Sequence, residues 1–72
     1  MLVSNEIRKL REKVLMTQEE FAQKIGVAAS TVNRWETNKT RPNMSAMKSI
    51  KAFCESNNYP YERIEIVWLS RI

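Results

Sequence analysis

Apolar residues recur along this chain in steps of three and four, in stretches separated by short polar gaps. Ile7, Leu10, Val14 and Leu15 form one face of a first helix over about Ser4 to Leu15, which leaves Arg8, Lys9, Glu12 and Lys13 outside. A second helix opens at Thr17, whose hydroxyl can cap the free amides. Glu20, three residues on, completes a capping box, and Phe21, Ala22 and Ile25 supply the buried face. The third pattern runs from Ala28 to about Thr37 and turns Val32 and Trp35 inward. Asn43 caps a fourth helix that reaches about Ser56 and buries Met44, Met47, Ile50, Phe53 and Cys54. From Tyr59 to Ile72, Pro60 suits a first helical turn and Glu62 favours a helix N-terminus. Tyr61, Ile64, Trp68 and Ile72 then repeat at helical steps, so a fifth helix is predicted. Ile64, Ile66 and Trp68 also alternate as a strand would, and that alternative stays open.

The only glycine, Gly26, falls between the second and third patterns. A helix that must stop and turn sharply wants a residue able to take positive φ without a Cβ clash, so the order reads helix, tight turn, helix. Ala22 is small where two crossing helices need a close approach. This is the layout of a helix-turn-helix reader of DNA. Stepping about 100° per residue, Ala28, Thr31, Val32 and Trp35 cluster on one side of the third helix, with Ala29, Ser30, Asn33, Arg34 and Thr37 on the other. Asn can bind adenine bidentately and Arg can do the same to guanine. On an isolated helix such a face is ordinary solvated surface; behind a capped helix and a glycine turn it reads as a DNA-facing one. Gln18, at the second helix's N-terminus, and the loop cations Lys39 and Arg41 are candidates for phosphate contact, which fixes register without reading sequence.

Composition narrows the picture. A chain of 72 residues makes one domain that buries roughly 60% of its unfolded surface, so self-association is a natural way to gain stability. The expected division is residues 1–58 as the helix-turn-helix unit and 59–72 as an apolar tail of the same domain. The net charge of +4 fits a polyanionic partner without requiring one. One cysteine and no histidine exclude an internal disulfide and a zinc ligand cluster, so no metal or cofactor is expected, and Cys54 reads as a buried apolar residue. Without histidine or a Gly-rich phosphate loop, an enzyme is not expected either. No apolar run approaches the ~20 residues of a membrane span, and no targeting segment is evident, which points to the cytoplasm.

The run Thr17, Gln18, Glu19, Glu20, Phe21, Ala22, Gln23, Lys24, Ile25, Gly26 and Val27, then Ser30 to Glu36, Lys39, Arg41 and Pro42, resembles the Cro/C1-type, or XRE, helix-turn-helix family of phage and bacterial transcriptional regulators. The resemblance spans Ile7 to about Phe53. It implies an all-α, five-helix bundle of the lambda-repressor-like kind, with double-stranded DNA as partner. Carried over residue by residue, it implies a phosphate contact at Gln18 and base edges facing Ala29, Ser30, Asn33 and Arg34; Thr31 and Thr37 join Lys39 and Arg41 as candidates for contact with DNA phosphates. Alanine at Ala28 and Ala29, where longer polar residues often sit in the family, shifts discrimination onto Asn33 and Arg34. The resemblance also implies a structural pair between Arg11 and Glu36.

The expected role is a sequence-specific regulator, a repressor that occupies its operator as a homodimer and performs no chemistry. Tyr61, Ile64, Trp68 and Ile72 are the expected dimer interface, because a second tryptophan and its apolar neighbours exceed what so small a domain can easily hide. The bland alternative is that the tail closes the bundle. A competing function is a protein-interaction module, such as an antitoxin-type partner binder, built on the same scaffold and the apolar tail.

Overall fold

Helices form where the spacing placed them. The computed structural model describes residues 2–70, as α1 (Val3–Lys13), α2 (Gln18–Ile25), α3 (Ala29–Glu36), α4 (Met44–Ser56) and α5 (Glu62–Ser70). The capping box at the start of α2 is complete. The Glu20 amide donates to Thr17 Oγ1 at 3.1 Å, and the Thr17 amide donates to Glu20 Oε1 at 2.9 Å. Asn43 caps α4 by accepting from the Ala46 amide at 2.8 Å. Within the tail, Glu62–Ser70 is helical, not a strand.

One core joins all five helices: Ile7 and Leu10 of α1, Phe21 and Ile25 of α2, Val32 and Trp35 of α3, Met47, Ile50 and Phe53 of α4, and Ile64 of α5. Phe21 and Phe53 meet edge to face with centroids 5.2 Å apart, a geometry that adds aromatic attraction to the buried area. The most extensive packing runs between α2 and α3, as a helix-turn-helix requires, with α1 against α3 and α5, and α4 against α2.

The first four helices end by one device. Leu15, Gly26, Asn38 and Asn58 take left-handed φ values of 59°, 78°, 62° and 54°. The residue after each donates its amide five positions back: Met16 to Arg11, Val27 to Ala22, Lys39 to Arg34 and Tyr59 to Cys54. This closure caps carbonyls that the helix cannot satisfy itself. Met16, Val27 and Tyr59 then pack against the core.

Three expectations are corrected. Leu15 does not continue the α1 stripe: it is 90% exposed, because α1 stops at Lys13 and the left-handed turn swings Leu15 outward while Met16 goes in. Met44 is 66% exposed, since the inward stripe of α4 starts a turn later with Ala46 and Met47. In the tail, Ile64 of α5 is wholly buried inside the single chain and is not available to a second copy, while Tyr61 and Trp68 lie half-buried against the core. Ile72 of the same expected interface lies outside the described residues.

A leucine in the left-handed region is strained by ~1–2 kcal/mol, whereas glycine is not. Leu15→Gly is therefore expected to leave stability unchanged or raise it by up to about 1 kcal/mol, after glycine's own entropy is deducted. Gly26→Ala, whose new Cβ meets nothing within 4 Å, is expected to lower it by about 1 kcal/mol through conformation alone. Urea denaturation of both variants checks the pair.

Candidate nucleic-acid interface

The inward side of α3 carries Val32, Trp35 and Glu36, all buried, and this fixes what the helix shows to solvent. Ser30, Asn33 and Arg34 are exposed together. Ala29, expected beside them, is half-buried and packs partly on the core. Ala28, expected inward, is the exposed residue before the first turn. Thr31 is half-buried; Thr37 is exposed, with its hydroxyl donating to the Asn33 carbonyl at 2.8 Å at the end of the helix.

Behind that face lies a polar network centred on Glu36, whose side chain has no exposed surface. Arg11 grips it as a fork, Nε to Oε2 at 2.7 Å and Nη2 to Oε1 at 2.9 Å, and its remaining Nη1 donates to the Met16 carbonyl at 2.9 Å. A planar guanidinium bound this way fixes direction as well as distance. Arg8 adds a weaker contact, Nε to Oε1 at 3.5 Å. Burial pushes the Glu36 carboxyl upward in pKa, but the bonds from Arg11 and Gln18 and the charges of Arg11 and Arg8 outweigh it and hold it below the usual carboxylate range. Arg11 is correspondingly raised by its bond to Glu36.

Gln18 joins this network to the exposed face. Its Nε2 donates to Glu36 Oε1 at 3.1 Å, and its Oε1 accepts from Asn33 Nδ2 at 3.3 Å. The residue expected at a phosphate thus has both ends of its amide engaged, with one N–H left over. Sequence reasoning missed both this link and Arg8's contact. For the second a signal was available, in the spacing of Arg8 and Arg11 three apart on one helix face.

Past α3, Lys39 is exposed, whereas Arg41 lies over the Trp68 ring, 5.8 Å from its centroid, and donates to the Trp68 carbonyl. Trp68 Nε1 in turn donates to the Pro42 carbonyl at 2.7 Å. The loop is thereby tied to α5, and Arg41 is already engaged by the tail. Cys54 has no exposed surface, and burial, with the nearby charges of Glu55 and Glu62, pushes its thiol up to about 11, so it stays protonated and inert at neutral pH. Among the described residues no helix is long and apolar enough to cross a membrane, and no group of three or more acidic, cysteine or histidine side chains is placed to hold a metal.

The sequence is similar to known proteins. A family profile described as helix-turn-helix covers residues 7–55, from within α1 to near the end of α4. Type II methyltransferase M.SsoII of Shigella sonnei is 35% identical over 57 residues, which is 75% of this chain and 15% of the enzyme. HTH-type transcriptional activator BcrR of Enterococcus faecalis is 32% identical over 50 residues, 69% of this chain and 24% of the activator. The chain therefore spans no more than about a quarter of these curated relatives. No solved structure gives a significant match.

Glu36 titrates lower in the folded chain than in the unfolded one, so its ionisation contributes stability that is fully present above the ordinary carboxylate pKa of about 4.3 and is lost as pH falls through the lowered folded value. The stability difference between wild type and Glu36→Gln is expected to shrink steadily from about pH 5 downward, measured by urea midpoints across the acid range. Arg11→Met leaves the buried carboxylate without its main partner and is expected to cost about 3–5 kcal/mol at pH 7, enough to unfold much of a domain this size.

Proposed function

The chain belongs to the Cro/C1-type, or XRE, helix-turn-helix family, and on that premise we propose that it is a sequence-specific double-stranded DNA-binding regulator of transcription. The observation that carries the reading is the exposed trio of Ser30, Asn33 and Arg34, held on a helix whose other side is locked inward. Small Ser30 lets the α3 backbone approach a major groove, Asn33 offers a donor and an acceptor to adenine, and Arg34 offers two donors to guanine. The half-exposed methyl of Ala29 suits a thymine methyl. Thr31, Thr37, Lys39 and the free N–H of Gln18 serve the phosphates, and Arg41 does so if it leaves Trp68. Regulation is by occupancy: a protein seated on a promoter excludes the polymerase, which makes repression the expected sign.

The reader acts as a homodimer. The described residues span 29 Å along their longest axis and carry one recognition helix, so two half-sites about 34 Å apart need two copies. With Ile64 turned inward, the face open to a second copy is the outer side of α5, where Ile66 and Leu69 are 64% and 57% exposed. A different protein on that face is the competing occupant.

Selection from random duplex DNA near physiological salt is expected to return a palindromic motif; weak, sequence-independent binding would instead favour the protein-interaction role. On the selected site, Arg34→Ala is expected to leave thermal unfolding unchanged and to cost about 1–3 kcal/mol of binding with relaxed preference at one position. Lys39→Ala is expected to weaken all sequences alike and to reduce the salt slope by about 1.

For the dimer, sedimentation at tens of micromolar is expected to show two copies for the wild type. Ile66→Glu with Leu69→Glu should give a folded monomer, and a wild type that is monomeric at that concentration sinks the assignment.

A further inference from the structure

The geometry points to Gln18 as a positioning residue that carries the polarity of buried Glu36 out to Asn33 and so makes Asn33 select adenine over guanine. This rests on the DNA reading above and concerns which base that reading prefers.

A side-chain amide can present either end to a neighbour, and nothing intrinsic to Gln18 or Asn33 decides which. Glu36 decides it. An ionised carboxylate only accepts hydrogen bonds, and Arg11 keeps this one ionised, so only the NH₂ of Gln18 can face Glu36 Oε1, at 3.1 Å. The Gln18 carbonyl is then turned toward α3 as an acceptor, and only the NH₂ of Asn33 can meet it, at 3.3 Å. The order of donors runs one way from the buried charge to the surface, and each bond polarises the next. Reversing the Asn33 amide would set two carbonyl oxygens against each other.

The consequence lies in what Asn33 has left. One of its two N–H groups is engaged by Gln18, and the other, with Oδ1, is free. Adenine presents in the major groove an acceptor at N7 and a donor at N6, which one N–H and one carbonyl can satisfy together. Guanine presents two acceptors, N7 and O6, and requires two donors. An unanchored asparagine can offer both N–H groups to guanine; Asn33 held by Gln18 cannot without breaking the link. Gln18 therefore affects specificity at a base it does not touch.

The test uses Gln18→Met, which keeps the length and helix preference of the side chain but cannot hydrogen-bond. The base facing Asn33 is first identified as the position where Asn33→Ala loses its preference. Affinities are then measured for duplexes bearing adenine or guanine there. Wild type is expected to favour adenine by about tenfold or more, and Gln18→Met by no more than about threefold, since a bidentate pair accounts for discrimination of that order. Equal weakening on both duplexes, with the ratio kept, would overturn the proposal and leave Gln18 a plain phosphate contact. If wild type shows no base preference at all, the DNA reading itself has failed. The link is then judged on the free full chain by NMR: the Asn33 side-chain NH₂ resonances and their exchange rates are expected to change in Gln18→Met, and unchanged resonances refute it. Should Gln18→Met fail to fold, hydrogen-bond coupling from the Asn33 NH₂ to the Gln18 carbonyl is sought in the wild type, where its presence supports the link and its absence refutes it.

Discussion

A carboxylate with no exposed side-chain surface, that of Glu36, holds the domain in register. Removing an anion from water costs several kcal/mol even after relaxation, and attraction repays it only when geometry is good and the remaining lone pairs are occupied. Here both oxygens accept from Arg11, and Oε1 also accepts from Gln18. Because guanidinium and carboxylate are both planar, the fork constrains the angle between α1 and α3 as well as their separation. The third arm of Arg11 holds the Met16 carbonyl, so the turn into α2 is referred to the same point. Apolar faces alone permit sliding; this contact does not.

The helix ends do complementary work. Four left-handed residues stop α1 to α4, and at three of those ends the following residue is a half-buried hydrophobe packed against the core, so each of these turns is anchored where it closes. At the end of α3 the corresponding residue is Lys39, exposed and cationic. The same closure that buries an anchor elsewhere here directs a charge outward, beside the face that carries Ser30, Asn33 and Arg34. From the other side, the indole N–H of Trp68 holds the Pro42 carbonyl and brings the loop against α5.

Much of this was legible in the chain because it is local. Gly26, the Thr17 and Glu20 box and the Asn43 cap act within one turn, and the stripes of α2 and α4 follow from spacing. What failed was also physical. Periodicity does not say where a helix stops when a leucine takes the left-handed position, as Leu15 does, nor does it distinguish a first-turn Met44 from the stripe that begins behind it. Amphipathicity of α5 announced an apolar face without saying what covers it: the bundle covers Ile64, while Ile66 and Leu69 stay exposed. The Arg11 and Glu36 pair was accessible only through family resemblance, because residues 25 apart carry no local signal for one another. The Gln18 to Asn33 link had neither route, since amide partners are set by three-dimensional approach.

The outward face of α3 is thus built on a helix that could not stand alone. Eight residues are too few for a stable isolated helix, and Ala28 before it supplies no side-chain cap. Its helicity is imposed by Val32, Trp35 and Glu36 on the inside and by the closure at Asn38 and Lys39. Side chains on the outside then contribute little to folding, and Ser30 and Arg34 can be exchanged without disturbing what holds the helix. Asn33 is the exception. Its amide is connected through Gln18 to the same carboxylate that positions the helices, so at this one position the scaffold and the exposed face of α3 share a hydrogen-bond chain.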